Sequence, residues 1–573
     1  MVRFRLFHRW RAPLIVALIA LAAGLAGVFT LPVLDRDEAR FAQATAQMLQ
    51  SGDFVEINFL DEPRNKKPIG IYWMQAIAVA ATTGEAAREI WAYRLPSVLG
   101  AVLASLFTYA AGRRLFGRRA GLAGGVIFAA CILLGAEAGI AKTDAMLAAT
   151  AAAAFWAIIE IRFANGRRRA RLWALMVWIA MGIGVLLKGP ITPVAAALTV
   201  GAMVVWERRL NWVWPLAWWP GPVVAALLVA PWLIAIQTAT DGAFIREAFL
   251  GDLGPKMVSG HESHGAPPGV HLALLPVLFA TAMLTLPAGV RAAVIALRHG
   301  GRRALAVKLA LSFAIPLWLV FEIAPTKLPH YVLPVYPALA ALAGLGAVRW
   351  TATPVLWRWL GVLLALAGAA LSLLPLAVLI EVGEAPLAAS LVTGVLVAAS
   401  ALAAIIAGLR ARIGAALVLL AVMGLSWHVG ARGVVAPAAE RIFLSVNAAE
   451  RAEALRVETG AARVISSFTE PSFAFGLGGA VDFLAPEALI ERQIAPPAVI
   501  AIDFSRIEEG AAPDALDDRR AWLEALDTAA CRTDAVAGVN YSRGPDPVLV
   551  AIYALCAEPP PPDSDAAPTE AAP

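Results

Sequence analysis

The sequence predicts an α-helical polytopic membrane protein with about 13 transmembrane helices and one small C-terminal α/β domain. Three observations carry this. Of 573 residues, 60% are hydrophobic and 16% charged, with a mean hydropathy of +0.71, where a soluble domain carries about 25% charge. The apolar residues gather in repeated runs of about 20, the length that crosses ~30 Å of hydrocarbon. Beyond Pro437 the composition turns polar and alternating. Three cysteines exclude a disulfide scaffold. The net charge of +5 and pI of 9.2 are read as setting membrane orientation, so no nucleic-acid partner is expected.

The spans centre near Ala22, Ala104, Ile127, Ala153, Ile179, Ala197, Leu228, Phe279, Phe313, Leu339, Ala367, Val397 and Ala421. Arg3, Arg5, Arg9 and Arg11 precede the first apolar run, Pro13 to Leu34, which is longer than a signal-peptide core. This pattern predicts an uncleaved anchor with a cytoplasmic N-terminus. Every even-to-odd connection should then be cytoplasmic and basic. Five are: Arg113, Arg114, Arg118 and Arg119; Arg162, Arg167 to Arg169 and Arg171; Arg208 and Arg209; Arg298, Arg302 and Arg303; Arg410 and Arg412. An odd number of spans puts the C-terminal part outside.

The expected layout is a membrane domain over 1–436, an outer α/β domain over 437–557 and a disordered tail over 558–573. The first outer loop, about 34–92, holds two stretches with helical apolar spacing, Phe41, Thr45, Met48, Leu49 and Ile71, Met74, Ile77, Ala78. Strand-like runs in the outer domain are Val464–Phe468, Ala498–Phe504 and Val548–Leu555. Cys531 and Cys556 both fall there, where a disulfide can persist; Cys131 lies in a span.

Charge at hydrocarbon depth is costly and marks function. Six polar groups share the predicted outer face: Asp35-Arg36-Asp37-Glu38-Ala39-Arg40, Asn65-Lys66-Lys67-Pro68, Lys142-Thr143-Asp144, Lys188-Gly189-Pro190, His261-Glu262-Ser263-His264, and Thr326-Lys327-Leu328-Pro329-His330-Tyr331. The cytoplasmic face offers arginines and almost no such mixture. Each group has a plainer reading. Asp35, Asp37, Glu38 and Asp144 stand where acids cap helices. The lysines can snorkel to lipid phosphates. His261, Glu262 and His264 are compatible with a divalent metal, although a zinc site needs a third ligand and a scaffold.

Lysine suits neutralising a phosphate leaving group, and a neighbouring carboxylate can orient or deprotonate an attacking group. No Gly-rich nucleotide loop is present. A lipid-phosphate-linked sugar transferred to an outward-facing acceptor fits these residues. A transporter or flippase of a polyprenyl-linked or lipid substrate is the alternative, but it calls for repeated halves and midplane charges.

In order along the chain, Asp37-Glu38-Ala39-Arg40-Phe41-Ala42, Ser51-Gly52-Asp53, Lys67-Pro68-Ile69-Gly70-Ile71-Tyr72-Trp73, Arg94-Leu95-Pro96-Ser97, Arg113-Arg114-Leu115-Phe116-Gly117, Lys142-Thr143-Asp144-Ala145-Met146-Leu147, Lys188-Gly189-Pro190 and Lys327-Leu328-Pro329-His330-Tyr331-Val332-Leu333-Pro334 resemble the bacterial aminoarabinose lipid A transferases. These are relatives of the protein O-mannosyltransferases. The resemblance spans about the first 340 residues. It implies a GT-C fold, a multi-pass protein of the bacterial inner membrane with a periplasmic site, and an inverting transfer. The implied donor is a polyprenyl-phosphate-linked sugar, and the implied acceptor is lipid A or another envelope glycolipid. By the same resemblance Asp37 is the principal catalytic carboxylate and Asp144 the second important acid. Lys67 contacts phosphate, while Lys188, Lys327 and Tyr331 line the donor or acceptor cavity. Glu38, Arg40, Tyr72 and His264 complete the expected substrate-binding set. Family members often read Phe-Glu-Lys-Pro where this chain reads Asn65-Lys66-Lys67-Pro68. The absent carboxylate removes a candidate metal ligand, so no metal site or cofactor is assigned and the sugar stays open.

Overall fold

The computed structural model describes residues 2–84, 88–254, 265–508, 513–544 and 546–557. They divide into two compact units. One holds Met1–Leu31, Ala44–Glu381 and Ala385–Ala438; the other holds Pro32–Gln43, Val382–Glu384 and the chain from Ala439 onward.

The first unit is helical. Nine of the thirteen expected centres lie in helices long and apolar enough to cross a bilayer, and among the described residues there are nine such helices. The other four centres fall where a helix or its apolar stretch is short, or where a helix is broken. Ala22 lies in the apolar stretch Trp10–Leu25 and Ala197 in Ile191–Glu207. Ile127 belongs to the pair Arg118–Ala129 and Ile132–Ala138, bent by 56°. Phe279 sits at the break between Val270–Leu278 and Ala280–Met283. Length and composition therefore count nine spans, or ten with the bent pair, against the 13 expected.

Four helices frame the most heavily charged part of this unit: α1 (Ile90–Phe116), α2 (Asp144–Arg162), α3 (Arg167–Lys188) and α4 (Ile191–Glu207). Helix α2 is 94% buried across its span window, and its alanine-rich sequence lets neighbouring backbones approach closely. A Cβ on Gly100 of α1 would stand 2.5 Å from the Met146 backbone nitrogen, so only glycine permits the crossing of α1 over the start of α2. Nearby, Ser97 Oγ donates to the Lys142 carbonyl at 2.9 Å.

Buried arginines stitch the broken segments. Arg94 Nη1 donates to the carbonyls of Val28 (3.0 Å) and Leu31 (2.7 Å), just beyond the first helix, Val2–Leu25. Arg432 Nη1 donates to Ala23 (3.2 Å) and Gly135 (2.5 Å). Carbonyls left unpaired by a helix end would otherwise be stranded in a dry interior. At the far end of α2, Arg162 makes a two-pronged bond to Glu207 at 2.8 and 2.9 Å, and Arg114 Nε donates to Glu160 at 3.0 Å. Glu160 and Glu207 thus pair with arginines at the helix ends.

The second unit contains a five-stranded sheet ordered β4-β3-β5-β7-β6. Strands β3 (Val464–Ser466), β4 (Val481–Phe483) and β5 (Ala498–Asp503) are parallel, while β7 (Pro547–Leu555) pairs antiparallel with both β5 and β6 (Arg532–Val539). β1 (Asn58–Phe59) and β2 (Glu62–Pro63) form a hairpin in the first unit. Every residue of β5 is buried, as a central strand covered on both faces requires. Ile465, Ile500, Ile502, Leu489, Leu526 and Tyr553 share one core. Cys531 and Cys556, flanking β6 and β7, form a disulfide. The expected tail, 558–573, lies outside the described residues.

Candidate active site

Asp144 opens α2, where a carboxylate meets unpaired amides, and Lys188 closes α3, where an ammonium meets unpaired carbonyls. Gly189 follows at φ +67°, reversing the chain into Pro190 and α4. The two side chains meet: Lys188 Nζ is 2.5 Å from Asp144 Oδ1. Lys142 Nζ lies 2.9 Å from Glu137 Oε2 and 3.9 Å from Asp144 Oδ2. His330 faces both acids, with Nδ1 3.8 Å from Glu137 and Nε2 3.8 Å from Asp144. The Lys188 ammonium stands 5.5 Å from the centre of the Tyr331 ring, within cation–π range. Two carboxylates, two ammonium groups and an imidazole thus meet at one end of the span bundle, largely buried.

An apolar groove of about 630 Å³ begins two residues along α2 from Asp144, at Met146. It is lined by Met146, Ala149 and Ala153 of α2, Ile179 and Ile183 of α3, and Leu99 of α1, among others. Charged groups at one end of a helix and an apolar groove along the same helix suit an amphiphile bearing an anionic head.

The structure brings Asp144, Lys188 and Tyr331 together, as three of the expected site residues. Lys327 is buried and gives its ammonium to the carbonyls of Ala266 (2.9 Å) and Ala324 (2.6 Å). Tyr72 is wholly buried in the helix Gly70–Thr82. Lys67 is half-buried after the β1–β2 hairpin, near Asn65, whose amide donates to Glu247 at 3.1 Å. Asp37, Glu38 and Arg40 belong to the second unit. Asp37 is exposed as the first residue of the helix Asp37–Ser51. Glu38 does the local capping: its buried carboxylate accepts the Leu34 amide at 2.9 Å. His264, with His261 and Glu262, lies outside the described residues. Among the described residues no three His, Cys, Asp or Glu side chains are placed to hold a metal ion.

Glu137, Lys142 and His330 were not among the expected site residues. Glu137 has a signal, as the sole charged residue of the apolar run from Ala120 to Ala141. Lys142 and His330 stood inside motifs whose other members drew the attention.

Residues 66–234 match the family model described as dolichyl-phosphate-mannose-protein mannosyltransferase. The undecaprenyl phosphate-α-4-amino-4-deoxy-L-arabinose arabinosyl transferase of Pseudomonas aeruginosa is 32% identical over 322 residues, 55% of each chain. A Pseudomonas fluorescens protein of the same name is 29% identical over 360 residues, 60% of this chain and 58% of its own. The chain thus spans little more than half the length of these relatives. The crystal structure of ArnT from Cupriavidus metallidurans bound to undecaprenyl phosphate superposes with a TM-score of 0.69 at 21% identity, covering 94% of this chain and 97% of that one. Its apo form gives 0.68 over the same coverage. The fold is the expected GT-C fold, shared with the ArnT structures. The resemblance read from the ordered motifs stands with it, and the family match over 66–234 contains Lys67, Tyr72, Asp144 and Lys188.

Proposed function

We propose that this chain is an integral-membrane glycosyltransferase. It moves a sugar from a polyprenyl-phosphate donor to a periplasm-facing acceptor, lipid A or another envelope glycolipid, at the bacterial inner membrane. The observation that carries this reading is the pairing of Asp144 with Lys188 at the start of α2, the helix that also lines an apolar groove. The isoprenoid tail takes the groove, and Lys188 and Lys142 take the phosphate. The relatives named for undecaprenyl-phosphate arabinosyl transfer, and the ArnT structure holding undecaprenyl phosphate, support the donor class.

In the reaction an acceptor oxygen forms a bond to the anomeric carbon while the bond from that carbon to the phosphate oxygen breaks. The polyprenyl phosphate leaves with the electron pair, and its growing negative charge is met by the ammonium groups. Asp144 holds Lys188 in place between turnovers. Asp37 is assigned to the acceptor. An acceptor phosphate needs only alignment; a hydroxyl acceptor would pass its proton to the Asp37 carboxylate.

The test is a proteoliposome assay with a polyprenyl-phosphate sugar and lipid A. Wild-type protein transfers sugar, whereas Asp37→Asn and Asp144→Asn insert normally and lose turnover by roughly 10²-fold or more. Wild-type rates in either variant would remove the assignment. Mass spectrometry of envelope glycolipids from cells with and without the gene then names the sugar.

A further inference from the structure

In an open α/β sheet, ligands bind at the carboxyl ends of the parallel strands. In the second unit that edge is built from Ser467 to Glu470 after β3 and Asp503 at the end of β5. Asn540 to Arg543 join them, because β6 runs antiparallel to β7 and ends there. The edge is densely bonded. Asn540 Nδ2 donates to Glu470 at 2.7 Å, and Ser467 Oγ accepts the Asp503 amide at 3.0 Å. Arg543 bridges Glu470 at 3.0 Å and Asp503 at 2.7 Å.

What lies in this crevice is the chain's own segment. Ser445 Oγ donates to Asp35 Oδ2 at 2.7 Å, and the buried Ser472 hydroxyl donates to the other oxygen. The two serine oxygens stand 2.6 Å apart, so the Ser472 proton is shared between Asp35 and Ser445. The Asp35 amide donates to the Tyr541 hydroxyl at 2.7 Å, and the Arg36 guanidinium donates to the Ser542 carbonyl. Arg36 itself adopts φ +64°, an uncommon conformation for a side-chain-bearing residue. One residue later the helix that begins with Asp37 starts.

We infer that Asp35 is a positioning residue: the α/β domain grips it as an internal ligand at its strand edge and thereby fixes the place of the Asp37 carboxylate. The inference rests on the proposed role of Asp37. Four bonds converge on two consecutive residues immediately before it, from the helix Leu444–Thr459, the short helix Pro471–Gly476 and the loop after β6. Anchoring of this density exceeds what closing a loop requires, and it leaves the Asp37 side chain exposed. The domain thus supplies geometry rather than a second active site.

The experiment uses the full chain in proteoliposomes with the variants Asp35→Leu, Asp35→Asn and Ser472→Ala. Hydrogen exchange reads the amides of residues 36–43 and, as an internal control, those of β5 and β7. In Asp35→Leu, exchange over 36–43 rises while β5 and β7 stay protected. Its kcat falls by about 10²-fold, the scale of a displacement near 1 Å, with KM nearly unchanged. Ser472→Ala shows the same pattern more weakly. Asp35→Asn, which keeps an oxygen facing the serines, stays close to wild type. Unchanged exchange and kcat in Asp35→Leu would overturn the inference, and so would loss of β5 and β7 protection in both Asp35→Leu and Ser472→Ala. Failure of the wild type to transfer any sugar would defeat the proposed reaction instead, while the exchange arm still tests the grip.

Discussion

Lys188 is held by a carboxylate at 2.5 Å and, in the proposed reaction, also meets the donor's phosphate. Removing it leaves Asp144 with Lys142 at 3.9 Å and His330 at 3.8 Å, neither in direct hydrogen-bond contact with it. Breaking one side of a buried ion pair costs roughly 3–5 kcal/mol, because the remaining charge stays dry. Lys188→Met is therefore expected to lower thermal stability and transfer together. The double variant Lys188→Met with Asp144→Asn removes both charges, so its unfolding temperature should recover while transfer stays absent. Recovery of transfer alongside stability would show the pair to be structural. Asp144, Lys188 and Tyr331 were legible as polar groups at span ends. Their mutual contacts were not, since the partners come from sequence positions 44 or more residues apart. Lys327 shows the opposite outcome, an ammonium that looked available and is spent on backbone carbonyls.

At the scale of elements, Asp35 makes a pH-dependent contribution to the domain that holds it. Burial, and then the neighbouring Glu470, push its carboxyl up from 3.8 to about 6, against the serine bonds that favour the anion. A raised carboxyl binds a proton in the folded state at pH values where the unfolded chain has lost it, so stability falls as pH rises from about 4 through about 6. Above that the penalty is complete, at most about 3 kcal/mol. Hydrogen-exchange protection of β5 and β7 should decline across this interval in the wild type and stay flatter in Asp35→Asn. A decline of equal size in Asp35→Asn would assign the titration elsewhere. The strands were unevenly legible for a related reason. β3, β5 and β7 carry dense apolar runs and were expected. β4 has three residues with one fully buried, and β6 begins exposed at the sheet edge, so neither has the pattern of a covered strand. The four spans missing from the count failed on length or on a break, which hydropathy averages across.

Within the helical unit, ionic clusters mark the two ends of α2. Its 19 residues extend about 28 Å, close to the hydrocarbon thickness. Asp144 with its lysines marks one end, and Glu160 and Arg162 with their ionic partners mark the other. That separation is what a one-sided enzyme needs, whereas a carrier alternating between faces places its ionisable groups near the midplane. The orientation proposed from the basic connections is tested by reporters: one fused between α2 and α3, near Ala164, should read as cytoplasmic, and one fused after Pro437 as periplasmic. Proteoliposomes loaded with donor and acceptor on the periplasmic side alone should then give full transfer, with no lipid crossing. Lipid movement without sugar transfer would identify a flippase. Transfer that required donor on the opposite side would mean the lysines serve a passage, and the groove beside α2 would be a path rather than a seat for the departing phosphate's tail.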